Sequence, residues 1–298
     1  MLASKDIADI LDENDFTLLN QFTTGNSESA VFLVRSKEEK KVVKLPTSQR
    51  SLDEITSNIS AYRTIHEWGC EDILPPYLEI RSYKGMPYIV MSYLGEDFET
   101  KIKRSKNPLG MYESLCGPLE RLYRITIRGN GGGNKFLALV RNEIFRNFEQ
   151  FLIPSGLSSS KYLERIKSID FSDDDYLITC FSPYDFTPED IFISNSGFFY
   201  PDPKQECKGL PQISLACFAG VSRDAYGLPE SVTGYKILEK FAVKTCSEIV
   251  DISISSAERL FLFGRALQCS FSSRVRIYGD KEKASYFAKE SERHLDLL

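Results

Sequence analysis

The sequence predicts an α+β fold in two parts, a small antiparallel β-sheet carrying one helix and a larger, mainly helical region. Three observations predict it. Five strand-like runs and one long helical run fill residues 16–93. From Phe98 onward, apolar residues recur at helical spacing instead. One compact hairpin signal, within Phe181 to Asp202, interrupts that helical half.

The elements follow in order. Residues 1–16 read as a short helix with Ile7, Ile10 and Leu11 on one face. Phe16 to Leu19 begins a strand, and a polar turn containing Gly25, Asn26 and Ser27 leads to the strand Ala30 to Val34. Small residues in such a turn let backbone N–H groups approach phosphate oxygens. A charged turn at Lys37 to Lys40 precedes the strand Lys41 to Leu45. Lys44 lies within that apolar run, where its charge needs a partner, an anionic ligand or an exit to solvent.

Ser51 to Trp68 is the helical run. Ser51 is the expected cap, Glu54 the third residue of a capping box, and Gly69 the stop. Glu54 and Asn58 are one turn apart, so either or both can face Lys44. Two further strands follow, Tyr77 to Ile80 and Tyr88 to Tyr93. Helices are expected at Met111 to Arg124, Lys135 to Phe151 and Ser160 to Ile169, and later at Thr233 to Val243, Ser256 to Phe271 and Lys281 to Leu295. The glycine-rich stretch Arg128 to Asn134 lacks the G-x-x-x-x-G-K-[ST] spacing and reads as a mobile interhelix loop. Asp173, Asp174 and Asp175 are consecutive, point different ways on a loop, and read as solvated.

Composition narrows the chemistry. The chain has 298 residues, 42% hydrophobic and 27% charged, as in ordinary globular proteins. A net charge of -5 argues against general nucleic-acid binding. No apolar run is long enough to span a membrane, and the acidic N-terminus does not resemble a signal peptide. Seven scattered cysteines without a C-x-x-C pair fit reduced thiols, hence an expected cytoplasmic location. The only two histidines, His66 and His294, have no evident partner, which excludes His-based zinc sites and Ser-His-Asp triads. Catalysis is left to carboxylates, lysine and backbone.

Three aspartates surround the hairpin signal. Ile191 to Ser194 and Phe198 to Pro201 are the strand runs, and Asn195-Ser196-Gly197 suits a three-residue loop. Pairing about that turn leaves Asp190 and Asp202 at the same open end, with Asp185 one short loop upstream. Opposed residues in an antiparallel ladder sit ~5 Å apart, close enough for two carboxylates to share a divalent cation. A third carboxylate above such a seat points to phosphoryl transfer.

The ordered set resembles the protein-kinase-like phosphotransferases, particularly the aminoglycoside phosphotransferase and choline kinase branch. Asp185-Phe186-Thr187-Pro188-Glu189-Asp190-Ile191 resembles that branch's H-G-D-x-x-x-x-N, and Pro201-Asp202-Pro203 its I-D-P segment. Lys44 resembles the strand lysine that holds nucleotide phosphates, and Tyr88 to Leu94 the fifth strand and hinge. The resemblance implies a bilobal protein-kinase-like fold, with residues 1–95 as the nucleotide-binding lobe and 96–298 as the helical catalytic and substrate lobe. It implies ATP and Mg²⁺ as cofactors and a hydroxyl-bearing small molecule as acceptor. Asp185 would be the catalytic base, Asp190 and Asp202 the Mg²⁺ ligands, and Lys44, oriented by Glu54 or Asn58, the phosphate contact. Gly25, Asn26 and Ser27 would cover the phosphates, and Met91 and Tyr93 would meet the adenine.

Departures from the pattern leave two alternatives, a protein-directed kinase and a nucleotide-binding pseudokinase or scaffold. Pro183-Tyr184 replaces H-G, Asp190 replaces Asn, and Ser214 stands where the branch often has the Asp of D-L-A.

Overall fold

A computed structural model describes the chain except residues 1, 23–27, 130–131, 172–177, 184–185, 195–196, 204–207 and 227–233. Its backbone divides into two units, Met1–Asp97 with Asp190–Gln205, and Phe98–Glu189 with Glu206–Leu298.

The first unit opens with α1 (Ser4–Glu13), β1 (Thr17–Phe22), β2 (Ala30–Ser36), β3 (Glu39–Leu45), α2 (Gln49–Glu67), β4 (Leu78–Tyr83) and β5 (Met86–Ser92). The strands form one antiparallel sheet in the order β1-β2-β3-β5-β4. Val43 and Leu45 join Phe32, Val34, Tyr88, Val90 and Ile10 in a core under α1. Alternation along β3 therefore sends Lys44 to the opposite face. There α2 packs against β3 and β5, burying Ile55, Ile59 and Tyr62. The β2–β3 turn is tighter than expected. Ser36 pairs with Glu39, so Lys37 and Glu38 alone make the turn, and Lys40 belongs to β3.

The cap of α2 also differs from expectation. Ser48, not Ser51, is the N-cap, and Ser51 is its partner three residues on. The Ser51 N–H donates to Ser48 Oγ at 3.1 Å, and the Ser48 N–H donates to Ser51 Oγ at 2.8 Å. Two hydroxyls close the box that a Ser and a Glu were expected to close, which frees Glu54 for other partners.

The chain continues through α3 (Phe98–Arg104), α4 (Pro108–Thr126), β6 (Arg128–Gly129), α5 (Gly132–Asn147), α6 (Lys161–Ser168) and β7 (Ile178–Phe181). Next come β8 (Phe192–Ser194), β9 (Gly197–Phe199), β10 (Lys208–Gly209), α7 (Pro211–Tyr226), α8 (Tyr235–Lys240), α9 (Cys246–Val250), α10 (Ile254–Arg274) and α11 (Lys281–Asp296). The α+β architecture expected from the sequence is thus present. In the second unit, α5, α7, α10 and α11 bury Val140, Ile144, Ile213, Leu260, Phe263 and Ala288 in one core. The glycine-rich stretch is more ordered than a loop at its ends. Arg128 and Gly129 pair with β7, and Gly132 already starts α5. Asp173, Asp174 and Asp175 lie outside the described residues.

The hairpin β8–β9 has the register Phe192↔Phe199, Ile193↔Phe198 and Ser194↔Gly197. Gly197 is thus a paired strand residue, not part of a three-residue loop. Among the described residues, no helix is long and apolar enough to cross a membrane. Among the described residues, Cys116, Cys180 and Cys246 are free thiols.

Candidate active site

Lys44 is 5% exposed, and three side chains converge on its ammonium. Nζ donates to Asp202 Oδ1 at 2.8 Å, to Glu54 Oε1 at 3.0 Å and to Asn58 Oδ1 at 3.1 Å. An ammonium has three N–H donors, so all of its hydrogen-bonding capacity is met. Burial by itself pulls its pKa down, but the Asp202 and Glu54 carboxylates outweigh that and hold it above the ordinary lysine value. Lys44 therefore stays charged.

Each member reaches the cluster for a local reason. β-alternation aims Lys44 away from the core under α1. Glu54, Asn58 and Tyr62 recur every four residues, forming one stripe along α2. Asp202 follows the hairpin, three residues beyond the last paired residue Phe199. Asp190 ends the 3-10 turn Pro188–Asp190, two residues before Phe192, so both aspartates leave from the open end of the ladder. The structure brings Lys44, Glu54, Asn58 and Asp202 together by direct hydrogen bonds. Both candidate helix partners, Glu54 and Asn58, bind Lys44.

Two carboxylates, Glu54 and Asp202, share the one Lys44 ammonium. Asp202 keeps 42% of its side chain exposed, with Oδ1 committed to Lys44. That chemistry fits a hard, oxygen-seeking cation, which takes one or two carboxylates alongside ligand phosphates. Among the described residues there is no cluster of three or more His, Cys, Asp or Glu side chains arranged to hold a metal unaided.

The remaining candidates are placed as follows. Met91 is buried in β5, opposite both Val42 and Leu78. Tyr93 is 37% exposed, but its N–H donates to the Lys40 carbonyl at 3.2 Å. The neighbouring Ser92 N–H donates to the Tyr77 carbonyl at 2.9 Å, so neither N–H is free to meet a base. Gly25, Asn26, Ser27 and Asp185 lie outside the described residues.

The residues flanking Asp185 are held within the second unit. Ser214 Oγ donates to the Pro183 carbonyl at 2.7 Å, and Phe186 packs on Phe218 with ring centroids 5.2 Å apart. Ser214 and Phe218 are one turn apart on α7, so one helix face grips both sides of the segment. Ser214, which stands where the branch often has an Asp, thus holds the Pro183 carbonyl. A hydroxyl donates to the carbonyl of a proline, which has no N–H to offer a carboxylate. His66 is corrected, since its Nδ1 lies 3.3 Å from the Glu71 carboxylate on the surface.

Sequence reasoning missed Tyr62 as a polar participant. Its hydroxyl donates to the Pro201 carbonyl at 2.6 Å, while Asn58 Nδ2 donates to the Pro203 carbonyl at 2.8 Å. The four-residue spacing from Glu54 was the available signal.

No family model and no curated protein matches the sequence. Solved structures do match along nearly the whole chain. A choline kinase from Cryptosporidium parvum has a TM-score of 0.60 at 9% identity, covering 99% of this chain and 95% of its own. The choline kinase LicA from Streptococcus pneumoniae has a TM-score of 0.56 at 13% identity, covering 99% of both chains. A thermostable variant of aminoglycoside phosphotransferase APH(4)-Ia, in ternary complex with ADP and hygromycin B, has a TM-score of 0.57 at 10% identity, covering 97% of both. With the sheet, the Lys44 cluster and these likenesses together, the chain has the protein-kinase-like fold shared by aminoglycoside phosphotransferases and choline kinases.

Proposed function

We propose that this chain is a phosphotransferase that moves the γ-phosphate of ATP, with Mg²⁺, onto a hydroxyl of a small molecule. One observation carries the reading: Lys44 is buried, charged and fixed between Glu54, Asn58 and Asp202, with two carboxylates around its one ammonium. A structural ion pair needs no second carboxylate, whereas a phosphate contact beside a metal seat does. The solved complex of the aminoglycoside phosphotransferase APH(4)-Ia variant with ADP and hygromycin B supports a nucleotide together with a small-molecule acceptor.

In this reading residues 1–95 form the nucleotide-binding lobe, and residues 96–298 the catalytic and substrate lobe. Lys44 holds the nucleotide phosphates, Glu54 orients it, and Gly25, Asn26 and Ser27 cover the phosphates. Met91 and Tyr93 border the base. Given the strand pairing of Ser92 and Tyr93, the base meets carbonyls and side chains there, not those N–H groups. Asp190 and Asp202 would hold Mg²⁺, which neutralises phosphate charge when bound. Asp185 accepts or orients the proton of the attacking hydroxyl.

Thermal shift with ATP, with Mg-ATP and with Mg²⁺ alone tests the reading. Mg-ATP should raise the Tm of wild type but not of Asp202→Ala, and a panel of amino-sugar and amino-alcohol acceptors should then show ADP release. A wild type indifferent to Mg-ATP would sink it. Pro183 and Tyr184, in place of His and Gly, favour a second reading in which the chain binds nucleotide without turnover. That reading predicts the same Tm rise, with ADP release at background for every acceptor.

A further inference from the structure

We infer that Asn58 and Tyr62 are positioning residues, which set the backbone on both sides of Asp202 and so fix its carboxylate relative to Lys44. The inference rests on the proposed metal role of Asp202 and assigns the two α2 side chains a part in it.

The segment Tyr200-Pro201-Asp202-Pro203 cannot anchor itself by donation at either proline, because proline has no N–H. Carbonyls are what it can offer there, and each proline carbonyl has a donor. Tyr62 Oη reaches Pro201 O at 2.6 Å, and Asn58 Nδ2 reaches Pro203 O at 2.8 Å. The Tyr200 N–H adds a backbone bond to the Ile73 carbonyl at 2.7 Å. Asp202 thus sits between two tethered neighbours, and its own carboxylate is tied to Lys44 at 2.8 Å.

The donors are well protected. Asn58 is 1% exposed and Tyr62 4%, so water cannot substitute for them without a structural change. Burial first, and the nearby Asp202 charge second, push the Tyr62 hydroxyl pKa well above its usual value, so the hydroxyl keeps the proton it donates. Asn58 faces both ways, its Oδ1 accepting from Lys44 while its Nδ2 holds Pro203. One amide therefore couples the phosphate-contact residue to the metal-ligand segment. Leucine at 58 would match the shape and leave both a Lys44 N–H and a proline carbonyl unsatisfied. Phenylalanine at 62 would fill the same space and drop one hydrogen bond.

Two measurements on Tyr62→Phe and Asn58→Leu test this. In the nucleotide-free protein, amide exchange at Tyr200 and Asp202 should accelerate about five- to tenfold in Tyr62→Phe, the loss of one hydrogen bond, and further in Asn58→Leu. Exchange in β3 and β5 should stay at wild-type rates in Tyr62→Phe. Mn²⁺ binding in the presence of a non-hydrolysable ATP analogue, followed by electron paramagnetic resonance, should weaken by a similar factor. Affinity for the analogue in EDTA should be unchanged in Tyr62→Phe, which does not touch Lys44. Unchanged exchange at 200–202, or faster exchange with unchanged Mn²⁺ affinity, would overturn the inference while leaving the function intact. A wild type that binds no Mn²⁺-nucleotide would overturn the proposed function itself, and the inference with it.

Discussion

Pro201-Asp202-Pro203 in the first unit and Ser182-Pro183 in the second are both short strips of backbone next to a candidate acidic residue. In both, side chains donate to proline carbonyls: Tyr62 and Asn58 in the first, Ser214 in the second. The difference is redundancy. The first strip has two side-chain donors and the Tyr200 backbone bond, so losing one leaves the others in place. The second has one side-chain donor on its proline carbonyl, Ser214, with the Phe181 N–H donating to Thr126 Oγ1 at 2.9 Å on one flank and the Phe186–Phe218 contact on the other. Among the described residues, two side chains of one helix stripe meet the two proline carbonyls of the first strip, whereas one side chain meets the Pro183 carbonyl of the second.

That contrast ranks the expected effects. Replacing Lys44 with Met should be the most damaging, because Glu54 and Asp202 would lose the ammonium that sits between them. Both carboxylates can hydrate, so the cost in urea denaturation should fall below the roughly 3–5 kcal/mol of a fully buried broken pair. Ser214→Ala should follow at about 1–3 kcal/mol, the penalty of leaving a buried carbonyl unsatisfied. Tyr62→Phe also leaves a buried carbonyl, that of Pro201, without its donor, and should cost toward the low end of about 1–3 kcal/mol because the Pro203 and Tyr200 bonds keep the strip in place. Equal costs for Ser214→Ala and Tyr62→Phe would break the comparison, and a larger cost for Tyr62→Phe would reverse it.

The smallest effect should come from Asp6→Asn, which removes a surface pair with Lys84. The Lys84 hydrogen bond, then that of the Ala3 N–H, hold the Asp6 carboxyl below the usual aspartate range. A depressed carboxyl stabilises the fold above its unfolded pKa and loses that contribution as pH falls through the folded value. Any difference between wild type and Asp6→Asn should therefore be constant above pH ~5, vanish in acid, and shrink in high salt.

Much of the site was legible because local periodicity encodes which face a residue occupies. Lys44 between Val43 and Leu45 had to leave the core under α1, and Glu54 and Asn58 had to share a stripe. The paired runs on either side of Asn195 and Ser196 located the hairpin, although its loop is one residue shorter than the residues implied. The cap of α2 was misplaced because Ser48 and Ser51 are interchangeable in local chemistry. Where the chain turns from β3 into the helix decides which of them caps. The partner of Ser214, the Pro183 carbonyl, could not be read from spacing, because the two are 31 residues apart and meet only by packing.

The sequence by itself determined the α+β order of elements, the face of Lys44 and the presence of aspartates beside a hairpin, since each follows from spacing over a few residues. Only the tertiary structure decided that Asn58 and Tyr62 reach the carbonyls of Pro203 and Pro201, 145 and 139 residues away. It alone decided that Asp202 meets Lys44 directly, 158 residues from it in sequence. Periodicity specifies a direction, but a hydrogen bond needs a partner within about 3 Å, and only packing brings distant segments to that distance.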